Sequence, residues 1–287
     1  MIPELEYVRP NELSEVLALI DENEQAKIIA GGTDIIPGLR QGAFRFKKAK
    51  LLVDIHALPE LKTIREENGR ITIGAALTFS ELIAHPLVEQ NLPILFRAAS
   101  GLGSVQIRNR ATIAGNFVNN APCADSVPAL LVYDAVLTIQ SLQQKREILL
   151  SDFLIKPYQT QLKANEIVTE IKLPILAKNY VGDFYKLGRR KGQAISRITL
   201  ALLMKIKAGI IHELRVASGA VSPIGLRFKE VENSARGKKI SNELYQELAQ
   251  RIGKKILDIT KLRWSSAYKI PVLQQMMYQL FQRVHPI

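Results

Sequence analysis

Lys27-Ile28-Ile29-Ala30-Gly31-Gly32-Thr33-Asp34 is a short apolar strand run cut off by two glycines, and a helix-forming stretch follows it to about Arg40. A strand that stops at Gly-Gly exposes backbone N–H groups with no Cβ in the way, and Thr33 adds a hydroxyl donor. Such a turn suits a phosphate. The bland alternative is a tight strand-to-helix turn capped by Thr33 or Asp34. A second stretch of the same kind, Thr112-Ile113-Ala114-Gly115-Asn116, comes about eighty residues later and runs on through Asn119, Asn120, Pro122 and Asp125. It reads as polar, small and turn-rich, with donors able to converge on a polar ligand. Here the alternative is a surface loop whose Asp125 caps the helix beginning at Ser126. A long ligand with a pyrophosphate at its middle would use both stretches if the fold brings them together.

Working outward, Asn11 reads as an N-cap, because Leu13, Val16, Leu17 and Ile20 fall at helical spacing behind it. Leu51–Ile55 and Arg70–Leu77 read as strands, Thr78–Ala84, Leu92–Ser100 and Ser126–Asp134 as helices, and Ala135–Ser141 and Ile167–Leu173 as strands. The second half begins with strands at Asp183–Leu187, Ser196–Ala208 and Glu213–Val221. Leu200, Leu202 and Met204 share one face of the middle strand. Helices follow at about Leu226–Ser234, Asn242–Leu257 and Ala267–Val284. The pattern is that of an α+β layer fold.

The chain has 287 residues, 47% hydrophobic and 23% charged, which fits an ordinary globular protein of about two domains at ~150 residues each. One cysteine, Cys123, rules out an internal disulfide and a Cys-ligated cluster or zinc site held by this chain alone. His56, His85, His212 and His285 show no metal-ligand spacing. No serine-nucleophile elbow, Rossmann fingerprint or Walker loop is present. No apolar run approaches the ~20 residues of a membrane span, and no signal peptide opens the chain, so the expectation is a cytoplasmic protein without a membrane role. The formal charge of +12 is lopsided: residues 1–176 carry 18 Lys+Arg against 20 Asp+Glu, and residues 177–287 carry 21 against 7. The basic residues clump at 186–191, 236–239 and 251–255. This step puts a domain boundary near 175–180, giving domains at 1–176 and 177–287. It implies either a polyanionic partner or a solvated basic face.

Ala30-Gly31-Gly32-Thr33-Asp34, Thr112-Ile113-Ala114-Gly115-Asn116 and Asn120-Ala121-Pro122-Cys123-Ala124-Asp125-Ser126, in this order and spacing, closely resemble the FAD-binding (medium) subunit of molybdenum hydroxylases. That family includes the flavin domain of xanthine dehydrogenase and the medium subunit of carbon monoxide dehydrogenase. The resemblance runs the full length, with Phe184-Tyr185-Lys186 opening its second part. It implies an α+β fold: a two-part FAD-binding domain of the PCMH type over 1–176, then a smaller C-terminal α+β domain with a three-stranded antiparallel sheet and helices. It further implies that Lys27, Ile28, Ile29, Ala30, Gly31, Gly32, Thr33 and Asp34 hold the FAD pyrophosphate. Thr112, Ile113, Ala114, Gly115 and Asn116 would hold its other side and the ribityl region, and Asp125 would contact the cofactor from the next turn. Leu102, Val168 and Lys186 match positions that lie against the flavin in the xanthine dehydrogenase branch. The chain departs from the family at Ala114, where a glycine is usual.

The implied partners are a large molybdopterin-binding subunit and a small iron–sulfur subunit carrying 2Fe-2S clusters, with NAD+ as a possible electron acceptor. FAD then supplies the electron chemistry, which agrees with the thin set of catalytic residues. A standalone FAD-dependent oxidase of the same superfamily is the nearest alternative. It often links flavin through a histidine, and neither His56 nor His85 lies in the two loops. A basic nucleic-acid-binding protein is another alternative, disfavoured by 6% aromatics and the single Trp264. A structural subunit that has lost FAD rests on Ala114 alone.

Overall fold

The computed structural model describes residues 3–190 and 192–287, so Lys191 of the first basic clump lies outside the described residues. The chain opens with β1 (Glu6–Val8), α1 (Leu13–Glu22), β2 (Ala26–Ile29), α2 (Ile35–Arg40) and β3 (Leu51–Asp54), which build a small parallel sheet in the order β1-β3-β2. Val16, Leu17 and Ile20 of α1 pack on Leu51, Val53 and Ile55, while Ile29, Ile35, Leu39 and Leu52 form a separate small core on the other side. The predicted cap of α1 shifts by one residue. Glu12 occupies the N-cap position without a side-chain bond, and the Asn11 N–H instead donates to Glu15.

Next come β4 (Ile64–Glu67), β5 (Arg70–Gly74), α3 (Phe79–Ala84), α4 (Pro86–Asn91), α5 (Pro93–Ser100), α6 (Val105–Arg108), α7 (Ile113–Asn119) and α8 (Ser126–Val132). The first part closes with β6 (Val136–Gln140), β7 (Lys145–Leu149), α9 (Leu150–Phe153), β8 (Leu154–Lys156), β9 (Gln159–Thr160) and β10 (Ile167–Pro174). Strands β4-β5-β10-β6-β7 form an antiparallel sheet, with β10 at its centre. Two starts follow sequence rules: Thr78 and Glu81 make a reciprocal capping box on α3, and prolines open α4 and α5. The stretch Thr112–Asn120, expected to be a turn-rich segment, is the helix α7 with Thr112 as its cap. Small polar residues on its outer side hid an inward face of Ile113, Ala114 and Phe117, all buried in the main core.

The second part is β11 (Tyr180–Gly188), β12 (Ser196–Lys207), β13 (Ile210–Gly219), β14 (Leu226–Arg227), α10 (Lys229–Ala235), α11 (Asn242–Thr260) and α12 (Ser266–Val284). Its antiparallel sheet has four strands rather than three, in the order β11-β12-β13-β14. The stretch from Leu226 begins as that fourth strand, and its helix starts only at Lys229. Strand β12 is buried on both faces. Leu200, Leu202 and Met204 pack on Tyr245, Leu248, Met277 and Phe281 of the long helices, whereas Ala201 and Leu203 turn into the main core of the first part. The two parts therefore share apolar packing across the step in charge.

Candidate functional site: two glycine loops and an interdomain ion pair

The two motif loops meet. A Cβ placed on Gly31 would lie 1.9 Å from the Arg110 carbonyl oxygen and 2.9 Å from the Ala111 Cα, so backbone packs directly on backbone. Gly32, at φ +74°, then turns the chain into α2. The far loop is stitched down by three backbone bonds: Phe79 N–H to the Ala111 carbonyl, Ile113 N–H to that of Leu77, and Ala114 N–H to that of Ala75.

Their backbone donors differ. Among the described residues, the N–H groups of Gly31, Gly32, Thr33, Asp34 and Ile35 have no intrachain acceptor. At the second loop the N–H groups of Ile113, Ala114, Gly115 and Asn116 are all used, the last two by Thr112 Oγ1 and the Thr112 carbonyl. What this loop leaves uncommitted is the exposed Gly115, the hydroxyl hydrogen of the buried Thr112 and the Asn116 amide hydrogens. Asn116 Oδ1 is taken by Ser126, at 2.6 Å from its Oγ. The methyl of Ala114 sits in the main core.

Both aspartates occupy N-cap positions, Asp34 before α2 and Asp125 before α8, and neither side chain caps its helix. The simple capping alternative therefore fails for the same reason at both. The Asp34 carboxylate goes to Arg45, at 2.5 Å. That of Asp125, 5% exposed, accepts from Lys186 Nζ at 2.6 Å and from the Ser196 hydroxyl. Lys186 Nζ also donates to the Gly101 carbonyl at 3.0 Å, so one ammonium joins strand β11 to two segments of the first part. Burial pushes the Asp125 carboxyl above its ordinary value, and Lys186 pulls against that shift. Beside it, burial and the Asp125 charge push the Cys123 thiol up, which disfavours the thiolate that a nucleophile needs.

These groups border a cleft of about 390 Å³ lined by Gly103, Ser104, Cys123, Asp125, Ile195 and Ser196, among others. Its size is that of a small-molecule pocket, roughly 300–1,000 Å³. Contacts thus link Gly31 to Arg110 and Ala111, Gly115 to Thr112, Asn116 to Ser126 beside Asp125, and Asp125 at the cleft to Lys186. Lys27, Ile28 and Ile29 lie in β2 before Gly31, and Leu102 packs in the core between Gly101 and the cleft residue Gly103. Val168 sits apart, on the central strand β10 with its side chain in the main core. Its neighbour Thr169 accepts from Ala75 N–H behind α7.

Sequence reasoning missed Ser196, Arg45 and the residues Arg190, Gln193, Ala194 and Ile195, which enter the cleft wall. The signal for these four was the polar turn between two apolar strands. Neither histidine outside the second part touches a metal-like cluster. His85 Nδ1 accepts from Leu87 N–H and caps α4, and no group of metal-ligating side chains occurs among the described residues. No described helix is long and apolar enough to cross a membrane.

The sequence profile of a family described as the FAD binding domain in molybdopterin dehydrogenase matches residues 3–176, and one described as the CO dehydrogenase flavoprotein C-terminal domain matches 183–284. The putative xanthine dehydrogenase FAD-binding subunit XdhB of Escherichia coli K12 is 32% identical over 94% of this chain and 92% of its own. The nicotinate dehydrogenase FAD-subunit of Eubacterium barkeri is 31% identical over 97% and 95%. The structure of carbon monoxide dehydrogenase from Hydrogenophaga pseudoflava superposes with a TM-score of 0.91 at 28% identity, covering 99% of this chain and 98% of that one. The basic second part is accordingly a flavoprotein domain, which removes the main ground for a nucleic-acid reading. This chain belongs to the FAD-binding (medium) subunits of the molybdenum hydroxylase family, and it is an oxidoreductase subunit.

Proposed function

We propose that this chain carries FAD as the electron exit of a xanthine dehydrogenase-type molybdenum hydroxylase, receiving electrons from 2Fe-2S clusters of a small partner subunit and passing them to NAD+. The observation that carries this reading is the run of unengaged N–H groups at 31–35, held against Arg110 by a contact that only glycine permits. Five consecutive unengaged donors at a glycine turn into a helix suit a diphosphate, and an ordinary turn leaves such groups to water.

Residues 31–34 bind the diphosphate through backbone donors. Thr112 and Asn116 donate from the facing helix start, and exposed Gly115 lets the cofactor approach without a side chain between. Asp125, Lys186 and Ser196 set the charge at the cleft, whose lining at Gly103 and Ile195 would receive the ring system. Lys186 is a partly buried cation there, and among the described residues its three N–H donors leave one beyond Asp125 and Gly101. Bound FAD supplies the electron chemistry, so the protein needs no general base of its own. The large molybdopterin-binding subunit, where substrate is oxidised, is a separate chain on this reading. The surplus positive charge of residues 177–287 gives an acidic partner surface a place to dock.

The test compares riboflavin, FMN and FAD binding to the purified chain by calorimetry. FAD should bind much more tightly than riboflavin, and acid treatment should release all of it. Equal affinity for the three would remove the diphosphate from the site, and flavin retained in the acid pellet would favour a covalently flavinylated oxidase. With the assembled complex, reoxidation of the substrate-reduced flavin by NAD+ under anaerobic conditions tests the acceptor.

A further inference from the structure

Resting on the reading of residues 31–34 as the diphosphate loop, we propose that Arg45 is a positioning latch that ties the parallel-sheet unit to the β8–β9 hairpin across the open flank of that loop and sets how slowly FAD leaves. One flank of the loop is closed permanently, because Gly31 lies backbone to backbone against Arg110. The other flank has no backbone contact of that kind. There Arg45 reaches from a 3-10 turn at Phe44–Phe46 to Asp34 Oδ2, at 2.5 Å. Its guanidinium carbon lies over two rings, 4.7 Å from the centroid of Phe46 and 4.5 Å from that of Tyr158.

The two rings belong to different units. Phe46 packs on α2, where a Cβ on Gly38 would lie 2.4 Å from Phe46 Cε2, and the Ala43 N–H donates to the Gly38 carbonyl. Arg45 therefore sits on a fixed arm next to Asp34. Tyr158 stands in the turn between β8 and β9 at φ +61°, and its N–H donates to the Asn120 carbonyl at 3.0 Å. The Asn120 amide in turn donates to the carbonyls of Lys156 and Gln159, at 2.9 and 3.0 Å. Asn120 leads directly into Cys123 and Asp125 of the cleft. Arg45 thus closes a perimeter around the cofactor path: Gly31 and Arg110 on one side, Asp34, Arg45, Tyr158 and Asn120 on the other.

The strength of this closure suits a latch rather than a permanent bond. The Arg45 and Asp34 side chains are 31% and 46% exposed. Partly exposed ion pairs and cation–π contacts are individually weak, so the flank opens at small cost and still slows escape. A planar guanidinium is needed, because an ammonium can pair with Asp34 but cannot stack over two rings.

The test loads the full-length chain with FAD and follows release into flavin-free buffer by the rise in FAD fluorescence. Arg45→Ala should release FAD roughly five- to thirtyfold faster than wild type, with Arg45→Lys in between and Tyr158→Ala resembling Arg45→Ala. The Arg45→Ala/Tyr158→Ala double variant should be no faster than Arg45→Ala alone, since both remove the same closure. Flavin-free melting temperatures of the variants separate this effect from general destabilisation. If Arg45→Ala unfolds, Tyr158→Leu carries the same prediction. Release within twofold of wild type in Arg45→Ala, or fully additive effects in the double variant, overturns the latch. A wild-type chain that binds no FAD overturns instead the reading on which it rests.

Discussion

Gly31→Ala puts the meeting of the two loops to the sharpest test. The new methyl would fall 1.9 Å from the Arg110 carbonyl oxygen, 2.5 Å from its carbon and 2.9 Å from the Ala111 Cα. All three are backbone atoms, so no side chain can swing aside. Tolerable contact begins near 3.4 Å, and the loops must therefore part by about 1.5 Å. The far loop resists, because Ala111 and Ile113 are bonded to Phe79 and Leu77 in the main core. Overpacking of this kind costs about 1–3 kcal/mol of stability. The cost to FAD is separate: hydrogen bonds to a charged group contribute about 1.5–3 kcal/mol each, so misaligning one of the donors at 31–35 weakens binding by about 10- to 150-fold. The control is Gly32→Ala. There the nearest atom to the new methyl is an Ile36 side-chain carbon at 3.4 Å, and only the left-handed φ of +74° is strained. That variant should lose about 1–2 kcal/mol of stability and keep far more of its FAD affinity than Gly31→Ala. Calorimetry of FAD binding and denaturant unfolding of flavin-free protein read the two effects independently. A Gly31→Ala chain whose FAD affinity lies within threefold of wild type would refute the argument that this contact holds the loop in its binding shape.

Three further outcomes follow from the same geometry. Ala114→Gly should leave FAD affinity unchanged and cost about 1 kcal/mol of stability, because the Ala114 methyl faces the core rather than the cofactor path; tighter FAD binding in this variant would instead favour a degenerate site. Lys186→Met leaves the buried Asp125 carboxylate without its counter-ion, held only by the Ser196 hydroxyl, and should cost about 3–5 kcal/mol by denaturant unfolding. Burial already holds the Asp125 carboxyl above its ordinary value, and losing Lys186 raises it further, so this variant should gain stability as pH falls through the folded-state value. Glu166 behaves in the opposite sense. The Arg146 hydrogen bond holds its carboxyl below the ordinary 4.5, so its stabilisation is complete above pH 4.5 and lost as pH drops through the depressed value. Glu166→Gln should flatten that acid limb in a series of melting temperatures.

Local rules carried the fold a long way. The helical spacing of Leu13 to Ile20 and the alternation of Leu200, Leu202 and Met204 both report a buried face, and both faces are buried as read. Periodicity is less informative where a helix is short and its outer side is small and polar. In α7, the exposed Gly115 and the polar Asn116 and Asn119 stand beside only three buried residues, Ile113, Ala114 and Phe117, too few to establish a period. The start of the last helical region failed for a different reason. Leu226 and Arg227 are extended because they pair with Ser218 and Ala217, a tertiary bond that no local propensity encodes. The motif loops were legible because glycine geometry is local. Their pairing was not, nor was the destination of Asp34 and Asp125. Each aspartate stands where a cap belongs, and only the fold supplies the arginine and the lysine that draw them away.

The placement of polar contacts explains why so much of the site escapes a reading of one segment at a time. The chain has apolar cores in the parallel-sheet unit, in the body around β10 and α7, and between the C-terminal sheet and its helices. Of the groups expected to meet FAD, Leu102, Ile113, Ala114 and Val168 are in the main core, but the polar and glycine groups lie on the seams between the cores. Gly31 and Arg110 meet on the first seam, and Arg45 spans its other flank. Lys186 and Asp125 span the second seam, reinforced by the buried Asp183 between Arg97 and Arg283. A ligand seated along both seams touches all the units at once and so opposes their separation. FAD should then raise the stability of the whole chain together, by RT ln(1 + [L]/Kd), about 2.7 kcal/mol at a hundredfold excess over Kd. Hydrogen exchange would show this as added protection in β2, α7 and β11 alike. Protection confined to the loop at 31–34 would mean that the seams are independent and that the cofactor rests on one unit only.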